Sequence, residues 1–97
     1  MRNTLKWLIG GSRGGDNRLR IIRLLAEQPR NRNQLAEELD LDYSTVQYHL
    51  DRLVEYNILE NHDENYGKLF FLTEQMEQHM DVLDDIVENE ELEVSNE

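Results

Sequence analysis

Three features of the sequence predict a mainly α-helical domain that carries a small β-hairpin. Apolar residues recur at helical spacing in four segments; the second and third of these are joined only by Asp40-Leu41-Asp42; and two short β-prone runs follow, on either side of an Asn- and Gly-containing loop. The expected helices span about 16–28, 32–39, 43–56 and 74–88, with hairpin strands at about 58–62 and 68–72. In order, this is a helix, a helix-turn-helix, a wing and a closing helix.

In the first helix Ile21, Leu24 and Leu25 have the i, i+3, i+4 spacing of one buried face, Asp16 is the expected N-cap, and Pro29 sets the stop near Glu27 or Gln28. Before it lies "GGSRGG", four of the five glycines of the chain, which lacks the Gly-Lys-Ser/Thr ending of a nucleotide-binding loop and reads as a hinge behind an N-terminal segment, residues 1–15. Asn31 and Gln34 stand in N-cap and N3 positions for the second helix, whose apolar face is Leu35, Ala36 and Leu39. Asp40 occupies a turn position that needs left-handed backbone, and Asp42 precedes a third helix with Val46, Leu50, Leu53 and Val54 facing inward. "DENYG" suits the hairpin loop, Thr73 caps the last helix, and the acidic tail, residues 89–97, is too poor in apolar residues to pack and is expected to be disordered. These elements describe a winged helix-turn-helix domain over 16–73 followed by a separate helix over 74–88.

Composition narrows the setting. The 97 residues suffice for one small domain, and the absence of Cys removes disulfides and thiolate metal sites. No apolar run approaches the roughly 20 residues of a membrane span, and Met1 to Gly10 lacks a signal peptide's apolar stretch and cleavage site, so a cytoplasmic protein is expected. The net charge of −11 is unevenly spread: residues 1–32 hold eight Arg/Lys against two Asp/Glu, and residues 33–97 hold two against nineteen. Either the halves neutralise each other or the chain works in molar salt, where the Debye length falls to about 3 Å; the second reading is favoured.

"STVQYHLDRLVEYNIL" resembles the recognition helix of ArsR-type regulators, and "GGSRGGDNRLRIIRLL", "PRNRNQLAEELDLDY" and "YGKLFFLT" resemble small archaeal winged-helix proteins, many from halophiles. The resemblance covers about residues 8–73 and implies a DNA-binding transcriptional regulator, generally dimeric. Gln47-Tyr48 departs from the basic or His residues often found before His49-Leu50 in that group, and Asp40 stands where glycine is common.

If Val46, Leu50 and Leu53 point inward, Ser44, Thr45, Gln47 and Tyr48 form the reading set on the outer and flanking faces. Gln47 suits a bidentate pair with adenine, Tyr48 a thymine methyl or a phosphate, and Arg52 a phosphate. Asn33 and Gln34 at the start of the preceding helix and Lys68 in the wing complete the expected DNA-binding residues, with Arg13 in the glycine loop as a further phosphate contact. Tyr43 and His49 are read instead as packing residues, His49 bonded to backbone.

Met76, Met80, Leu83 and Val87 recur at 4-3-4 spacing and, with Leu5 and Leu8, are the expected homodimer interface, packing within the chain's own wing being the alternative. Arg18, Arg20 and Arg23 are placed to pair with the acidic last helix of either chain. His79 lacks a His or carboxylate at i±3 or i±4, so no metal site is expected; nor is a cofactor, a small-molecule ligand or a membrane partner, and no nucleophile-base pair suggests an enzyme. The functional alternative to double-stranded DNA as partner is a protein-docking module, since an acidic winged helix also suits a basic protein.

Overall fold

The chain begins helical in the computed structural model, which describes residues 1–65 and 67–90. Helix α1 (Arg2–Leu5) runs into a π-helical turn, Lys6–Gly10, that buries Leu5, Leu8 and Ile9 and leaves Trp7 exposed. The N-terminal segment is therefore part of the core. Helix α2 (Gly15–Glu27) starts one residue earlier than the sequence suggests, and its N-cap is Gly14, in left-handed backbone at φ 90°, rather than Asp16. Gly15 is tighter still: a Cβ there would lie 1.9 Å from the carbonyl oxygen of Ile9. The expected hinge is a close-packed joint, which needs glycine for contact as well as for conformation.

Local signals account for most of the next elements. Pro29 follows α2, and β1 (Arg30–Asn31) leads into α3 (Arg32–Leu39), whose capping box is complete: Asn31 Oδ1 accepts from the Gln34 N–H, and Gln34 Oε1 accepts from the Asn31 N–H, each at 2.8 Å. Asp40 adopts φ 58°, ψ 49°, as the turn requires. In α4 (Tyr43–Glu55) the N-cap residue is Asp42, without a side-chain cap bond. Asn57 ends α4 in left-handed backbone at φ 63°, and the Ile58 N–H reaches back to the Leu53 carbonyl at 2.9 Å, a Schellman closure that buries Ile58.

The wing is larger than a hairpin. Strands β2 (Leu59–Glu64) and β3 (Gly67–Leu72) pair antiparallel, and β1 adds to the other edge of β3, with Arg30 opposite Phe70 and Asn31 opposite Leu69, giving the order β1-β3-β2. Thr73 caps α5 (Glu74–Glu77) through the Met76 N–H. The single helix expected over 74–88 is then interrupted: the His79 N–H bonds the Met76 carbonyl, its Nδ1 lies 2.8 Å from the Gln75 carbonyl oxygen, and α6 (Met80–Glu90) restarts beyond. Asn89 and Glu90 belong to α6 rather than to the expected tail, of which residues 91–97 lie outside the described residues.

Ile21, Ile22, Leu35, Leu50, Leu53, Ile58, Leu59, Met76 and Leu83 share one core, each worth about 1.5–3 kcal/mol of burial. Two cations are buried with it. Arg30 closes the C-terminal end of α2 by donating to the carbonyls of Leu24 and Gln28, with Glu38 at 3.0 Å and Glu27 at 3.6 Å supplying the countercharge. Arg18 is 3% exposed and has no carboxylate partner among the described residues. Its Nε donates to the Leu8 carbonyl at 2.8 Å, Nη2 to Ser12 Oγ at 2.7 Å and the Arg13 carbonyl at 2.8 Å, and Nη1 to Nδ1 of buried His49 at 3.2 Å. His49 thus bonds Arg18 rather than backbone. Within the chain, and among the described residues, Arg18, Arg20 and Arg23 make no ion pair with α6; Arg20 bonds Asn17 and the Leu39 carbonyl, and Arg2 meets α6, 2.9 Å from Asp85.

Burial, and next the Arg18 charge, push the His49 imidazole below its ordinary value; burial also lowers Arg18. The ring meets Arg18 and the Tyr48 ring, with the loop at Gly14 closing over it. A neutral histidine in the fold and a protonatable one in the unfolded chain make stability complete above about pH 6.5 and progressively lower as pH falls from there toward the folded-state value. Wild type is expected to lose melting temperature relative to His49→Gln, which keeps an acceptor for Arg18 without titrating, between about pH 7.5 and 5.5; a constant gap contradicts this. Gly15→Ala should lower stability by about 1–3 kcal/mol, or some 4–20 °C in melting temperature, read by circular dichroism.

Candidate nucleic-acid interface

Helix α4 presents two faces with opposite fates. Val46, His49, Leu50 and Leu53 are buried, while Ser44, Gln47, Tyr48 and Asp51, at i, i+3, i+4 and i+7, form an outward stripe. Tyr48 is 56% exposed, a size of open aromatic surface that the helix does not need for packing. Ser44 is exposed and Thr45 half-buried, so the four residues expected to read DNA lie along the first two turns of one helix.

Their neighbours come from α3 and the wing. A cleft of ≈ 360 Å³ lies between the start of α3, the outer face of α4 and the β2–β3 hairpin, lined by Arg32, Gln47, Asp51, Asn61, Lys68 and Phe70. Lys68 is exposed opposite Asp63 on the paired strand. Gln47 is engaged at both ends of its amide: Oε1 accepts from Arg32 Nη1 at 2.6 Å, and Nε2 donates to Asp51 Oδ1 at 2.8 Å. The Arg32 guanidinium carbon also sits 4.6 Å from the centroid of the Tyr43 ring, a cation–π distance.

Other expected contacts are placed differently. The acceptor oxygen of Gln34 is taken by the capping box, so its first role is to start α3. Asn33 is exposed and its Oδ1 accepts from the Tyr43 hydroxyl. Tyr43 itself is 49% exposed, not a core residue as its position suggested, because helix α4 turns it away from Val46 and toward α3. Arg52 is half-buried, 3.5 Å from Glu55 and 5.5 Å from the Tyr56 ring centroid, which leaves its charge partly satisfied within the chain. Arg13 is exposed on the loop that Arg18 holds beside α4; its carbonyl is fixed while its side chain is outward.

The expected dimer set divides. Leu5, Leu8, Met76 and Leu83 are at most 1% exposed within one chain and have no surface to offer a partner: α1 and its π turn pack on α6, and α5 packs on β3. Met80 and Val87 remain half-buried, as does Val82, and Trp7 is 47% exposed, tilted against Tyr56 with ring centroids 6.1 Å apart.

Arg32 and Tyr43 are the residues that sequence reasoning missed. Arg32 stands inside "NRNQ", where the helix cap drew attention to its neighbours; the available signal was that it is the last cation before Arg52 in a markedly acidic stretch.

Residues 15–61 match the family described as bacterial regulatory protein, arsR family, which comprises regulators rather than enzymes. No curated protein matches the chain. Among solved structures, a ZitR variant from Lactococcus lactis has a TM-score of 0.62 at 22% identity, covering 76% of this chain and 56% of that one. The transcriptional regulator HlyU from Vibrio vulnificus CMCP6 has a TM-score of 0.67 at 19% identity, covering 88% and 86% of the two chains. A MarR transcriptional regulator from Methanosarcina mazei Go1 has a TM-score of 0.70 at 18% identity, covering 86% and 63%. The chain spans little more than half the length of the ZitR chain and less than two thirds of the MarR one. Residues 15–61 are thus similar to the arsR-family helix-turn-helix, and the described chain has the winged-helix fold.

Proposed function

We propose that the chain is a sequence-specific DNA-binding transcriptional regulator that acts as a homodimer in a high-salt cytoplasm. The observation that carries the reading is the outward side of α4: Ser44 and Tyr48 are exposed, and half-buried Gln47 lines the cleft that the wing residue Lys68 also lines. A helix of this width fits the major groove, and its polar side chains match base edges and phosphates. The match of residues 15–61 to arsR-family regulators supports the same reading.

Charge explains the setting. Asp51 lines the cleft together with Arg32 and Lys68, and Asp63 and Glu64 lie on the strand paired with Lys68, so in dilute buffer phosphate is poorly attracted. At molar salt the Debye length is about 3 Å, which screens the repulsion and also removes most of the benefit a basic surface would gain from releasing counterions. Affinity then rests on short-range contacts and on the avidity of two linked reading helices. For the dimer, the surface left on the terminal helices is that of Trp7, Met80, Val82 and Val87.

In a mobility shift over promoter fragments at roughly molar KCl, wild type should retain particular fragments, and Gln47→Ala and Tyr48→Ala should each weaken retention about ten-fold. Equal retention of every fragment by all three proteins, together with recovery of a basic protein partner in a pulldown, would instead establish a docking module. Light scattering in the same buffer should give the mass of two chains, reduced to one by Val87→Lys.

A further inference from the structure

The two bonds at the Gln47 amide do more than anchor it. Arginine nitrogens only donate and carboxylate oxygens only accept, so a glutamine set between Arg32 Nη1 at 2.6 Å and Asp51 Oδ1 at 2.8 Å has one amide orientation: oxygen toward α3, nitrogen toward the later turns of α4. Arg32 is itself held, its guanidinium lying over the Tyr43 ring at 4.6 Å while the Tyr43 hydroxyl is bonded to Asn33. The Arg32 Nε is buried without an acceptor, so the bond to Gln47 is the hydrogen bond that its guanidinium makes among the described residues. After both bonds are made, Gln47 keeps one oxygen lone pair and one N–H. Those two are the complement of the adenine major-groove edge, N6–H and N7.

Resting on the DNA-binding reading above, we propose that Arg32 is a specificity-determining positioning residue. It fixes the amide polarity of Gln47, and so sets which base Gln47 accepts and on which strand. Without it only the Asp51 bond holds the amide, and the donor-acceptor order that tells adenine from thymine on the facing strand is held less strictly. Asp51 serves the same purpose from the other end, which gives an acidic residue on a DNA-facing helix a use.

The test is selection of bound duplexes from a random pool at roughly molar KCl, with the full chain as wild type, Arg32→Met, Arg32→Lys and Gln47→Ala. The position read by Gln47 is the one whose preference disappears in Gln47→Ala. Wild type should enrich adenine there, Arg32→Met should reduce that enrichment about ten-fold and leave other positions unchanged, and Arg32→Lys, which keeps a donor, should restore much of it. A measurement that needs no variant is replacement of that adenine by 7-deazaadenine, which should weaken wild-type binding about ten-fold through loss of the N7 acceptor. An Arg32→Met chain that binds all sequences more weakly by the same factor, with a salt slope smaller by about one, makes Arg32 a phosphate contact and overturns the proposal, as does a base other than adenine at the Gln47 position or indifference to 7-deazaadenine. Wild type enriching no sequence at all refutes DNA reading itself, a result visible before any substitution is compared.

Discussion

The Arg18 guanidinium is the constraint on which the arrangement of this small fold depends. It is buried without a carboxylate and satisfied by two main-chain carbonyls, a serine hydroxyl and an imidazole drawn from three separate parts of the chain. A buried charge loses its water, and the loss is tolerable only where hydrogen bonds replace it in number and direction. Because the Leu8 and Arg13 carbonyls bracket the glycine turn, the same side chain that requires acceptors also dictates where the N-terminal helix ends and how α2 begins. The fourth acceptor, His49, lies on α4 directly after Tyr48, so the placement of the outward stripe is tied to a bond made on its inner side.

Glycine makes that arrangement sterically attainable. The start of α2 approaches the Ile9 carbonyl more closely than any side chain permits, and Gly14 supplies the left-handed residue beneath the imidazole. With the joint closed, Leu5, Leu8 and Ile9 join the core and α6 lies across them, fastened at its far side by Arg2 and Asp85. A 97-residue chain buries a limited fraction of its surface, and recruiting its first ten residues into the core is a direct way to enlarge that fraction. The N-terminal segment and α6 are consequently packed on one another within the fold, with Trp7, Met80, Val82 and Val87 left partly open.

What the sequence disclosed and what it hid follow the range of the forces involved. Asn31 and Gln34, Pro29, Asp40 and Thr73 act on backbone within a few residues, and each does in the fold what its type and spacing imply. The hairpin and the inward face of α4 were legible for the same reason, since period and turn chemistry are local. The burial of Arg18, the Arg32–Gln47 bond across fifteen positions and the two-residue strand β1 are products of tertiary packing, and no window of sequence contains both partners. The 4-3-4 spacing of Met76 to Val87 was silent both about the break between α5 and α6 and about what covers each part; α5 packs on β3, and α1 with its π turn packs on α6, which buries Leu83. In the reading set, outward direction was deducible from period, whereas the engagement of Gln47 and the exposure of Tyr43 depended on where α3 comes to rest.

The shortest strand has a mechanical implication. Asn31 is at once the ladder partner of Leu69 and the residue whose side chain starts α3, so hairpin and helix share a single fulcrum. Any tilt imposed on the wing by whatever it touches is levered into the first turn of α3, and through Arg32 into Gln47, without passing through the hydrophobic interior. The wing, α3 and the outer face of α4 are therefore joined by a continuous run of surface contacts through Asn31, Arg32 and Gln47.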